Sequence, residues 1–155
     1  MRPPSPVEDA VRTALLLREM CEVGGGALLR SVRTRAQNTP AAVCDMGVPP
    51  VLLFLSAKSR PEFYSYAYAR FSGRQANPPD RIRPERDGYS AYLAAVAWYL
   101  ARILGRELGS LGDVVRLARD LDSPANVDER VLVYSLLPTY LSELKKAVEA
   151  IFPTG

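Results

Sequence analysis

The spacing of proline and glycine between Thr39 and Lys58, TPAAVCDMGVPPVLLFLSAK, constrains this chain more than any other stretch. Thr39 followed by Pro40 reads as an N-cap and a first helical position, where a missing N–H costs nothing. Gly47 then supplies a left-handed stop for that short helix. Pro49 and Pro50 stand where a second helix begins. The body of that helix, Val51 to Ala57, is apolar almost all round, the pattern of a segment buried on several sides. Lys58 closes it with a cation near the negative end of the helix dipole. Arg30, Arg33 and Arg35 lie just upstream, so the pattern ties a buried helix pair to a basic edge.

The same punctuation organises the rest of the chain. Ser5, Pro6 and Glu8 predict a capped helix carrying Val7, Val11, Ala14, Leu15 and Leu17 inward, ending before Gly24-Gly25-Gly26. A second helix is predicted from Ala27 to Gln37, with Leu28, Leu29, Val32 and Ala36 inward and the arginines outward. In PEFYSYAYARF, residues 61–71, Tyr64, Tyr66 and Tyr68 alternate as in a strand, but Pro61-Glu62 favours a helix start. Residues 72–88, rich in Pro, Gly and charge, predict one long irregular loop, either a solvated surface or a contact with a partner. Tyr89, Tyr92, Leu93, Val96, Leu100, Ile103 and Leu104 recur at helical spacing, with Trp98 at the edge of that face. A shorter helix follows from Leu111 to Leu121. The last is predicted from Val127 to Ile151, capped by Asn126 with Glu129 at its third position, and kinked or divided at Pro138. No βαβ rhythm and no internal repeat is visible. The predicted fold is all-α, a compact single-domain bundle of about six to seven helices.

Composition narrows the chemistry. A length of 155 residues suits one domain with one core. Histidine is absent, which removes the commonest general base and the commonest metal ligand together. Cys21 and Cys44 have no metal-ligand spacing and read either as two buried thiols or as a disulfide. Gly24-Gly25-Gly26 lacks the lysine and the preceding strand of a phosphate loop. Paired acids such as Asp120 with Asp122 and Asp128 with Glu129 look like helix-end charges. The expectation is therefore a non-enzymatic protein with no cofactor and no metal. The longest apolar runs fall short of the roughly 20 residues of a membrane span, and MRPPSPVED lacks a hydrophobic leader. No membrane association and a cytoplasmic location are expected.

The net charge of +3 is mild but uneven. The excess lies in the N-terminal half, and all but 3 of the 20 cationic residues are arginine. That bias reflects either a GC-rich genome or the use of guanidinium groups on phosphates. On a helix Arg30 and Arg33 share a face, and Arg35 widens the patch. Such arginines either form an ordinary solvated face or hold backbone phosphates without reading sequence. Tyr64, Tyr66 and Tyr68 either pack inside or stack on bases.

The pattern Pro40, Val43, Gly47, Val48, Leu52, Phe54 and Lys58 is similar to the signature of the small helical subunit of type III-B CRISPR effector complexes, the Cmr small-subunit family. In that signature a proline opens a short helix, a glycine ends it, and a helix with an aliphatic–aromatic pair and a terminal lysine follows. The tail, Tyr140, Leu144, Lys145, Lys146, Ala147 and Ala150, also resembles that family's closing helix. Pro49-Pro50, the 72–88 loop and Leu144 in place of a large aromatic depart from it. The small subunit of an archaeal type I-A complex is thus an alternative, as is a helical protein–protein adaptor using residues 61–71. The resemblance implies a non-catalytic part that stacks on copies of itself beside a backbone filament of other CRISPR effector subunits. It also implies contact with the guide RNA and target nucleic acid through basic side chains. Here those side chains would be Arg30, Arg33, Arg35 and Lys58, followed by Arg74 and Arg81.

Overall fold

In the computed structural model, which describes residues 4–153, proline opens four of the seven α-helices found there. These are α1 (Pro6–Cys21), α2 (Gly25–Met46), α3 (Val48–Lys58), α4 (Pro61–Phe71), α5 (Pro84–Leu104), α6 (Leu111–Asp122) and α7 (Val127–Ile151). A 3₁₀ turn, Glu22–Gly24, joins α1 to α2. Ser5 caps α1 by accepting from the Glu8 amide, and Ser110 with Asp113 forms a reciprocal capping box on α6. Gly47, at φ 87°, ends α2 and starts α3 without a connecting loop, a conformation that a side chain would strain.

The architecture is a bundle around α5, which α1, α2, α3, α4 and α7 all touch. From Asp87 to Ala97 every residue of α5 is buried, as expected of a helix enclosed on all sides. Gly88 lets α5 lie against α2, because a Cβ there would fall 1.9 Å from Ser31 Oγ and 3.1 Å from the Ser31 carbonyl carbon. Ser31 Oγ in turn donates to the Glu85 carbonyl at 3.3 Å. Tyr64, Tyr66 and Tyr68 are buried, so α4 is helical and its aromatics belong to the core. They offer no surface to an adaptor partner.

Several elements differ from the sequence-based expectation. Helix α2 runs through Pro40 instead of starting there, and Thr39 Oγ1 donates to the Arg35 carbonyl at 2.7 Å as an interior residue. An interior proline costs about 3 kcal/mol, which the packing of α2 on α5, α7 and α3 offsets. The inward face of α1 is Asp9, Ala10, Thr13, Ala14, Leu17, Met20 and Cys21, while Val7, Val11 and Leu15 are exposed. Small side chains at 10, 13 and 14 let α1 approach its neighbours, and Arg102 pairs with Asp9 at 2.6 Å. Helix α3 is half-open, with Leu53 and Phe54 each 46% exposed; α5 is the enclosed helix. The irregular segment spans only 72–83, because Pro84 opens α5. Helix α7 is continuous across Pro138, and Asn126 makes no side-chain cap. The Asn126 side-chain amide donates to the Asp120 carbonyl instead, and Glu129 turns to Arg106. Cys21 is buried and Cys44 exposed, and both are free thiols. Burial, with the Asp87 charge second, pushes the Cys21 thiol up to about 12.

Candidate nucleic-acid interface

The basic residues of α2 do not form one patch. At 100° per residue, positions 33 and 35 point to opposite sides of a helix. Arg33 faces the end of α7, where Nη1 donates to the Glu149 carbonyl at 2.9 Å and the Phe152 carbonyl at 3.4 Å. Arg18 donates to the Ile151 carbonyl beside it at 2.9 Å. Two arginines from other helices thus satisfy two orphan carbonyls in the last turn of α7, those of Glu149 and Ile151, and complement its dipole. The last turn of α7 has no basic residue of its own, and this long-range cap has no local sequence signal. Arg30 is exposed on the Arg33 side of α2, its guanidinium folded back toward Gly26.

Arg35 faces the other way, into a groove of about 270 Å³ between α2, α3 and the start of α5. Asn38, Met46, Phe54, Leu55 and Tyr89 also line it. The Arg35 guanidinium donates to the Tyr89 hydroxyl and lies 4.3 Å from the centre of that ring. Its buried Nε has no partner. Phe54 meets Tyr89 edge-on at 5.9 Å. Lys58, one turn beyond Phe54 on α3, holds its ammonium 5.8 Å from the Phe54 ring. Among the described residues no acidic side chain lines the groove. Phe54 and Tyr89 are the groove aromatics, and sequence reasoning assigned both, like Val51 and Leu55 beside them, to buried helix faces. Nothing in the local pattern separates them from core aromatics, because the open side of α3 is created by how α2 and α5 dock.

The turn between α3 and α4 ties the 72–83 segment to this end of the molecule. Arg60 grips Asp87 with two hydrogen bonds of 2.8 and 2.7 Å and donates to the Arg81 carbonyl at 2.7 Å. Asp87 is fully buried and also accepts from the Arg83 amide. Arg86 donates to the Ser59 carbonyl at 3.2 Å. The guanidinium of Arg81 is exposed and has no carboxylate partner among the described residues. Arg74 is exposed and donates to Ser72 Oγ at 3.1 Å. Asp80 is the exposed acid of the same segment, and Glu85 is exposed just beyond it in the first turn of α5. The structure therefore places Arg35 in the groove and Lys58 beside the Phe54 ring that lines it, sets Arg81 and Arg74 on the adjoining segment, and removes Arg33 to the α7 terminus.

Neither a protein-family model, nor a curated protein, nor a solved structure matches this chain. Among the described residues no group of three His, Cys, Asp or Glu is placed to hold a metal ion. Among the same residues no helix is long and apolar enough to cross a membrane.

Proposed function

We propose that this chain is a non-catalytic small subunit of a CRISPR RNA-guided effector complex, stacking beside its backbone filament and holding guide–target nucleic acid through basic side chains. The observation that carries the nucleic-acid part is the convergence of Arg35 and Lys58 on two aromatic rings, with no carboxylate lining the groove. Rings and carbonyls leave a cation's net charge uncancelled, so that charge is available to a polyanion. The placement among effector subunits is supported by the signature Pro40, Val43, Gly47, Val48, Leu52, Phe54 and Lys58 in its part from Val43 onward, since Pro40 lies inside α2 and opens no short helix. The mechanism is electrostatic: cations neutralise phosphates, release counterions and hold the strand for other subunits to act on.

The test is RNA binding by the full chain between about 50 and 200 mM salt. Lys58→Gln combined with Arg81→Gln should lower the slope of log affinity against log salt by roughly 0.7–0.9 per cation removed. Arg106→Gln, where the arginine already meets two carboxylates, should leave the slope unchanged. An unchanged slope in the double variant overturns the reading. Co-expression with neighbouring genes should also capture larger effector subunits together with guide RNA, and capture without either overturns the CRISPR assignment.

A further inference from the structure

Resting on the nucleic-acid reading, the geometry points to the α2–α3–α5 groove as a seat for one unpaired nucleobase, with its flanking phosphate on Lys58 and Arg35. Four observations carry this. Phe54, 46% exposed, leaves ring surface uncovered on a helix whose other large apolar side chains mostly face inward. Met46, 52% exposed, stands across the groove, and a thioether packs well against a planar ring. The volume of about 270 Å³ lies just below the roughly 300 Å³ at which drug-sized ligand clefts begin, so it suits one flat ring system. Asn38, exposed at the rim, carries both a donor and an acceptor for a base edge. A paired base cannot enter, because its faces are covered by its neighbours and its edge by its partner. Single strands, whose bases unstack at little cost, can. Charge decides between an RNA base and an apolar peptide side chain: a groove lined by an arginine, flanked by a lysine and free of acids favours a ligand that brings its own phosphate.

The experiment compares wild type, Phe54→Leu and Phe54→Trp of the full chain, binding single-stranded RNA and an RNA duplex of the same length. Leucine keeps the apolar volume and removes the ring; tryptophan keeps the ring. Loss of one stacked base should weaken single-strand binding roughly tenfold in Phe54→Leu, with the salt slope unchanged, duplex binding unchanged and Phe54→Trp close to wild type. A 4-thiouridine placed within the single strand should photo-crosslink to the tryptic peptide 36–58, which holds Asn38, Met46 and Phe54. Wild-type affinity in Phe54→Leu, or equal loss for duplex, overturns the base site and would hand the groove to a protein segment. If the Lys58 and Arg81 variant still lowers the salt slope, the polyanion reading survives that result. If wild type shows no salt-dependent RNA binding, both fall together.

Discussion

At one end of the molecule arginines meet carboxylates, and at the other they meet carbonyls, a hydroxyl and aromatic rings. Around α6 and the start of α7, Arg106 bridges Asp120 at 2.7 Å and Glu129 at 3.1 Å, and Arg116 pairs with Asp113. Arg102, on α5, pairs with the buried Asp9 of α1. Arg106 and Arg102 hold helices together, Arg116 pairs within α6, and in each case the charge is cancelled in place. Around the α2–α3–α5 groove, Arg35 lies on Tyr89, Lys58 on Phe54 and Arg86 on the Ser59 carbonyl. The residue types are the same at both ends. What differs is the partner, and the partner decides whether a cation is part of the scaffold or available to a ligand.

The largest expected effect tests the exception to that contrast. Asp87 is the buried carboxylate that meets an arginine at the groove end; it has no solvent exposure, while its partner Arg60, which also lies 3.9 Å from the exposed Glu62, is 11% exposed. Asp87→Ala leaves a largely buried guanidinium with only the exposed Glu62 as a partner carboxylate and should cost about 3–5 kcal/mol, read from denaturant unfolding. A loss below about 1 kcal/mol, on the order of an exposed pair, would make Arg60 another available cation and blur the comparison. Next, Gly88→Ala should separate α5 from α2 at Ser31 and cost about 1–3 kcal/mol by overpacking. The groove depends on that approach, so RNA affinity should fall with stability; full affinity in a destabilised variant would detach the groove from binding.

The smallest effect concerns the acid-clasped end. The Arg106 hydrogen bond holds the Asp120 carboxyl below its ordinary value, outweighing the opposing effect of partial desolvation. Burial would raise the Asp113 carboxyl, but hydrogen bonds from Arg116 and Ser110 outweigh it and leave it lowered too. A carboxyl depressed in the folded form contributes stability above its unfolded value, about 3.9 for Asp. That contribution is lost as pH falls through the lower folded value. Unfolding midpoints should therefore drop less steeply below about pH 4 in Asp120→Asn than in wild type. Identical acid profiles would show that the clasp at this end contributes nothing.

Much of the fold was legible because it rests on local chemistry. Pro6, Pro61 and the proline pair after Gly47 mark helix starts through their fixed φ and missing N–H, and the 3.6-residue recurrence from Tyr89 to Leu104 marks an apolar helix. The errors fall where packing overrides local preference. Pro40 looked like a start because a proline inside a helix is costly, yet contacts made by both halves of α2 keep it helical. Val7, Val11 and Leu15 looked like a core face, but Ala10, Thr13 and Ala14 allow the closer approach to neighbouring helices. Of the predicted basic set, Arg35 lines the groove, Lys58 lies beside its Phe54 ring, and Arg33 faces away, since two residues along a helix is more than half a turn.

From its order of residues alone, this chain is committed to helices, to their approximate ends and to an excess of arginine, because each follows from backbone geometry or composition. Which arginines are neutralised was settled only by folding. Phe152, Tyr89 and Asp87, which meet Arg33, Arg35 and Arg60, are 119, 54 and 27 residues away in sequence, and only the docking of α2 and α7 with α5, and of the α3–α4 turn on α5, brings a carbonyl, a ring or a carboxylate within reach.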